Sequence, residues 1–325
     1  SNLSELLPTG GGQNAVDFVA TGNLASGQTV ALKSDGTVEV IAAIAGSVGS
    51  AVVFETGAVQ YVAATFDSTN NKIVIACRDV GNSKYGTAVV GTVSGTSISF
   101  GSPAVFESAS VAWISLTYDS TNAKVIIAYS DEGNSDYGTV AVGTVSGTSI
   151  SFGSPVVFQS AASPSISATY DSTNSKIVIA YRNAGNSYNA TGIVGTVSGT
   201  SISFGTAVSF ASASIPFLSA TYHAANGKVV IAYTDDNNSN YGKAIVGTVS
   251  GTSISFGTAA VFETSNSQLL NAVYDSVNQK VIIIYMDGGD SDKGKAVIGT
   301  VSGTSVSFGS AITFSSVAVS NLSAA

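Results

Sequence analysis

The stretch Gly91-Thr92-Val93-Ser94-Gly95-Thr96-Ser97-Ile98-Ser99-Phe100-Gly101 decides the fold, because it returns. It begins again at Gly143, Gly195 and Gly247, and once more at Gly299 with Val306 in place of isoleucine. Each start lies 52 residues after the one before, with no insertion or deletion. A fixed period of this size marks one supersecondary unit repeated as a solenoid, propeller or array.

Working outward from the copy at Gly195, each unit reads as four short strands. Ser165–Tyr170 is the first, and Asp171-Ser172-Thr173-Asn174 is a turn whose side chains bond their own backbone. Lys176–Tyr181 is the second, rich in β-branched residues. A Gly/Asn loop over 182–189 leads to the third, Thr191–Val197. Ser198-Gly199 makes a tight hairpin turn into the fourth, Thr200–Phe204, which continues through Val208 to Phe210. The second strand is apolar at Ile177, Val178, Ile179 and Ala180, on both faces. A sheet with one wet face would alternate, so each sheet is expected to be covered on both sides by its neighbours.

These features predict an all-β chain: a six-bladed β-propeller of four-stranded blades, about 52 residues per repeat. Five tandem repeats occupy 51–309 of a single domain spanning 1–325. The C-terminal piece 310–325 starts another unit, since Phe314 falls 52 residues after Phe262 and Leu322 falls 52 after Leu270. The N-terminal piece 1–50 carries strand-like runs at Ala15–Ala20, Gln28–Lys33 and Thr37–Ile41, and Ser50–Phe54 follows. Together the two ends would build one composite closing blade and remove the open sheet edges. The alternative is a fragment of a longer array.

Composition excludes several function classes. The 325 residues carry twelve basic and twenty acidic side chains, net −8, with no Lys/Arg cluster, which argues against a nucleic-acid binder. Charged residues make up 10% of the chain, against roughly 25% in ordinary soluble domains, leaving a neutral surface rich in hydroxyls. Cys77 is the single cysteine, so no internal disulfide can form. No N-terminal run has the shape of a signal peptide, and apolar runs such as Val281–Tyr285 are too short to span a bilayer. No membrane insertion is expected.

Comparison of the copies separates a constant face from a variable one. The Asp-Ser-Thr-Asn turn recurs at Asp67, Asp119 and Asp171, and as Asp275-Ser276-Val277-Asn278; the Ser-Gly turn recurs in all five copies. In a propeller both turn types lie on one face. The opposite face carries the loop between strands two and three, and the connection into the next blade, and these differ most. A variable rim on a rigid frame points to binding. Aromatic platforms with nearby carboxylates suit sugars, whose hydroxyls the carboxylates bond. The candidate ligand-binding residues are therefore Tyr61, Tyr85, Trp113, Tyr137, Phe217 and Tyr241, with Asp131, Asp235 and Asp287.

No catalytic residue, metal or cofactor is expected. The lone histidine, His223, replaces a turn Asp on the constant face. Arginine occurs only at Arg78 and Arg182, too few for a three-arginine sialidase site. One Cys and one His cannot make a structural zinc site. The acidic loops lack the alternating calcium-loop pattern with its terminal Glu. Asp35-Gly36 reads as a hairpin turn.

The units Thr-Tyr-Asp-Ser-Thr-Asn and Gly-Thr-Val-Ser-Gly-Thr-Ser-Ile-Ser-Phe-Gly, with the lead-in Val16–Leu24 and Ser34–Val38, resemble repeats of tail-fibre and appendage proteins of marine bacteriophages. The resemblance is one of repeat style and carries over no active-site residue. It implies a non-enzymatic virion protein on the particle's outer, extracellular surface. Its partners would be a host-surface glycan or protein receptor and other virion proteins. A purely structural decoration or spacer module is the alternative, and a glycan-degrading enzyme a third.

Overall fold

The structure is a computed structural model that describes residues 19–20, 30–32, 37–40, 49–320 and 322–324. It divides into two compact units, 1–51 and 52–325. In the first, Thr37–Val40 pairs antiparallel with Val30–Leu32 and parallel with Val19–Ala20. The Asp35-Gly36 turn lies outside the described residues, as does most of the Ala15–Ala20 run. The second unit holds five copies of one antiparallel design. Ser50–Phe54, expected as a strand, joins no ladder there: its residues precede the first strand as irregular chain.

In the third copy, Ser167–Asp171 pairs with Lys176–Asn183, which pairs with Asn189–Ser198. The fourth strand is broken in two. Ser201–Phe204 pairs with the far half of Asn189–Ser198, and Val208–Ser214 with its near half. Between them Gly205 donates its N–H to the Val194 carbonyl at 2.9 Å. The fourth strand therefore ends beside the loop joining strands two and three, so the variable loops share one end of each sheet, as the sequence predicts. One 16-residue strand, Ala104–Asp119, closes the first sheet with its leading half and opens the second with its trailing half. This merges the first two copies, leaving four antiparallel sheets in the second unit.

The core lies between successive sheets and explains the two-sided apolar second strand. Ile177, Ile179 and Tyr181 pack back onto Ile126, Ala128 and Val142 of the preceding copy. Their neighbours Val178 and Ala180 pack forward onto Val229, Ile231 and Tyr233 of the next. Each interface adds the same aromatic wedge: Phe158 meets Tyr181 at 5.1 Å and Phe204 at 5.8 Å between ring centroids. A buried polar bond accompanies it, Tyr129 donating to Glu107 at 2.9 Å and Tyr285 to Glu263 at 2.8 Å. Burial and the adjacent carboxylate push both phenols well above the usual tyrosine range.

First strands are tied sideways. The N–H of Ala168 donates to Ser115 Oγ, that of Ala220 to Ser167 Oγ and that of Ala272 to Ser219 Oγ, at 2.9–3.0 Å. The Asp turns behave as their sequence requires: Asp171 accepts the backbone N–H groups of Thr173 and Asn174 and the Asn174 amide. His223 substitutes a ring contact, stacking 4.6 Å from Tyr274 with Nε2 3.2 Å from the Gln279 carbonyl.

Candidate functional site

The loop-bearing end of the first strands holds an unusual backbone feature. Tyr61, Trp113, Ser165 and Leu269, spaced by multiples of 52, all have φ between 49° and 54°. Left-handed φ is costly for a bulky side chain, and glycine is the usual occupant. A register shift accompanies it between Gln60 and Ala63, Ala112 and Ser115, and Gln268 and Asn271. The bulge swings these side chains out of the sheet alternation. Pro164 precedes Ser165, and in the fourth copy Pro216 precedes Phe217, which does not share the left-handed φ; in these two copies the ladder begins only at Ser167 and Leu218. Proline has no N–H to give a ladder.

The bulge brings two predicted residues together. The Tyr61 and Trp113 rings lie 5.7 Å apart with a 45° tilt, and both remain exposed, at 39% and 37%. They form one wall of a groove of about 360 Å³ whose other lining includes Ser130, Glu132, Asp136, Arg182 and Tyr188. On its other side Trp113 borders a second, more apolar pocket of about 280 Å³ with Phe217, Leu269 and Leu322. Two of the six predicted aromatics, Tyr61 and Trp113, thus share the groove, and a third, Phe217, joins Trp113 in the second pocket. Tyr85, Tyr137 and Tyr241 do not line either cavity; they are half-buried at the start of third strands, paired with Asp79, Asp131 and Asp235.

The three predicted aspartates are buried and bonded within their own loops. Asp131, Asp235 and Asp287 each cap a short 3₁₀ turn, accepting the N–H of Gly133, Asn237 and Gly289. Burial pushes the Asp131 carboxyl above its usual range, aided by the charge of Glu107. Burial acts on Asp235 and Asp287 too, but Lys243 and Lys295 bond them and hold both below it. Among the described residues, no three His, Cys, Asp or Glu side chains gather as a metal site.

The groove's charged members were missed as a group. Arg78 is buried, and its guanidinium holds Glu132 by two bonds, 3.1 and 2.9 Å, and Ser110 at 2.9 Å. It also lies 5.8 Å over the Tyr61 ring. Arg182, its equivalent two copies on, stacks 4.4 Å over Tyr188 and donates to Ser214 at 2.8 Å. Arg182 therefore lines the groove, and Arg78 holds two of its lining residues, Glu132 and Tyr61, from outside it. The signal was in the sequence, since Arg78 and Arg182 occupy matching positions, but their different relations to the groove emerge only when the sheets stack.

An aromatic wall facing hydroxyl, carboxylate and guanidinium groups can stack on an apolar ring face while bonding the ring's polar edge. No protein-family model matches the chain, nor does any curated protein. Its fold has counterparts among solved structures. The BP39L lectin from Burkholderia pseudomallei gives a TM-score of 0.58 at 10% identity, over 78% of this chain and 69% of its own. AofleA from Arthrobotrys oligospora gives 0.53 at 7% identity, over 79% and 72%. A protein of unknown function from Dyadobacter fermentans gives 0.52 at 14%, over 74% and 78%. At these identities the likeness is one of fold, and it carries no link to phage tail fibres.

Proposed function

We propose that the chain is a non-enzymatic carbohydrate-binding protein whose ligand lies against Tyr61 and Trp113. The observation that carries this is the exposed aromatic pair facing Glu132, Asp136 and Arg182 across one groove. The lectin that shares its fold supports the same reading. Glycoside hydrolysis uses two carboxyl groups about 5–10 Å apart, free to move protons. Of the two in this groove, Glu132 is held by Arg78 and by Ser110 at 2.5 Å, which suits binding better than catalysis. A glycan array on the purified chain, followed by titration calorimetry, tests the reading. Trp113→Ala should weaken the best ligand about tenfold or more, as loss of an anchoring aromatic does. An array with no ligand, or equal affinity in the variant, refutes it.

We further propose a six-bladed propeller closed by a composite blade from the chain's two ends. Two contacts support it. Phe54 packs on Phe100 at 6.1 Å, in the place that Phe106, Phe158 and Phe210 take in later interfaces. Ala324 donates to Asn271 as a first strand does. Ile298 is 50% exposed where Val90, Val194 and Val246 are fully buried, which leaves an uncovered face for another sheet. Electron-microscopy class averages would count the blades; an open arc overturns the proposal. The repeat resemblance supports a place on the surface of a bacteriophage particle, attaching it to a host. Finding no such chain in purified particles by mass spectrometry would remove that placement.

A further inference from the structure

We infer that the groove selects acidic sugars, with Arg182 as the receptor for the ligand's carboxylate; this rests on the carbohydrate reading above. Two matching sites in one chain differ in the anion that one of them holds. Arg78 and Arg182 stand at the same position of the first and third copies, and each donates Nη2 to a serine 32 residues on, Ser110 or Ser214, at 2.9 and 2.8 Å. In the first site a carboxylate from the next copy, Glu132, closes the guanidinium fork with two bonds. The residue that matches Glu132 in the other site is Asp236, one methylene shorter and solvent-exposed.

Among the described residues, Asp236 makes no ion pair with Arg182, and neither does any other carboxylate. Arg182 therefore keeps the fork, the serine and an orienting ring, Tyr188, without the anion that completes its twin. Its Nε is buried with no partner, as is that of Arg78, so the difference between the two sites lies in the fork. A guanidinium fork matches a carboxylate in two parallel bonds, and such charge-assisted bonds are the stronger kind. The fork opens on the same groove as Tyr61 and Trp113. A sugar ring stacked there would place a ring carboxylate, as in a uronic or sialic acid, within the groove's reach of Arg182. The chain as a whole is acidic, net −8, but in the groove Arg78 neutralises Glu132 and the charge of Arg182 balances the one other carboxylate, Asp136.

The test is calorimetry of the full chain with a galacturonic acid trisaccharide, its methyl ester, sialyllactose and lactose. At least one acid should bind about tenfold or more tighter than its neutral counterpart, and added salt should narrow the gap. Asp236→Glu, an exposed change that rebuilds the Arg78–Glu132 pair, should weaken the acid about tenfold and leave the neutral sugar unchanged. Arg182→Lys should lose most of the discrimination while its thermal midpoint confirms folding. Equal binding of acid and neutral sugars, or an Asp236→Glu variant that still prefers the acid, overturns this inference and leaves the carbohydrate reading standing. If Trp113→Ala leaves binding of every probe unchanged, the carbohydrate reading falls, and this inference with it.

Discussion

The backbone N–H of Ala324 donates to Oδ1 of Asn271 at 3.2 Å, repeating across 53 residues the bond that Ala272 makes to Ser219. That single bond repeats the sideways tie of the first strands, although 322–324 form no strand themselves. The two bonds differ in surroundings: Ser219 and Ala272 are both buried, whereas Asn271 and Ala324 are half-buried. Ser219→Ala strands a buried N–H and should cost about 1–3 kcal/mol. Asn271→Ala should cost less than half of that, because water can reach Ala324. Urea midpoints of the two variants measure the difference, and equal losses would contradict it.

Glycines after each fourth-strand segment are required by the next copy. A Cβ on Gly101, Gly153, Gly205 or Gly257 would sit 1.8–2.0 Å from the carbonyl oxygen of Thr148, Thr200, Thr252 or Thr304. The obstacle is backbone, so neither partner can turn aside. Gly309, at the matching place in the last copy, has nothing within 4 Å. Gly205→Ala should lose about 3 kcal/mol or fail to fold, and Gly309→Ala should stay within about 0.5 kcal/mol of the parent. Soluble yield and thermal midpoint report both.

Asp235 and Asp131 share a structural place and shift in opposite directions. Burial raises both, but Lys243 bonds Asp235, while beside Asp131 Thr139 stands in the lysine's place and the charge of Glu107, matched by Ala211 in the other copy, raises it further. A carboxyl held below its ordinary 3.8 stabilises the fold fully above that pH, and the contribution fades as pH falls toward the folded value. In Lys243→Met the Asp235 carboxyl should rise from its folded value toward the ordinary range, because burial is then opposed only by the Asn238 and backbone bonds, so its contribution to stability shrinks. Stability measured from about pH 3 to 6 should then fall less on acidification than in the parent. An unchanged carboxyl titration by NMR would refute the assignment.

Cys77 should be inert in the folded chain. It is 4% exposed, and burial together with Asp79 and Glu55 pushes its thiol up to about 11, leaving little thiolate at neutral pH. A chromogenic disulfide reagent should titrate no thiol in buffer and one in denaturant. Rapid labelling of native protein would show that the first copy opens locally.

Much of this architecture can be read from residues alone, because repetition turns one chain into its own comparison set. The period places the hairpins, the Asp-Ser-Thr-Asn turns behave as Asx chemistry requires, and the apolar second strand announces its two neighbours. The aromatic pair was accessible for the same reason, Tyr61 and Trp113 being one period apart. What escaped is what depends on distance across the sheets. Arg78 meets Glu132 54 residues on, an offset visible only once copies are stacked, and the opening at Arg182 turns on a single methylene in Asp236. The cap role of Asp131, Asp235 and Asp287 could have been recognised from the Gly or Asn two residues later, whose N–H each accepts.

The lateral bonds at a constant 53-residue offset also bear on how such a chain changes over generations. Every described interface joins a copy only to its immediate neighbours, through the same wedge of phenylalanines and the same glycine-to-carbonyl approach. An unequal crossover that adds or removes one whole period at the DNA level would splice compatible surfaces together at the junction. The lineage can therefore shuffle its loops in complete modules, while a deletion of any other length breaks both flanking interfaces at once.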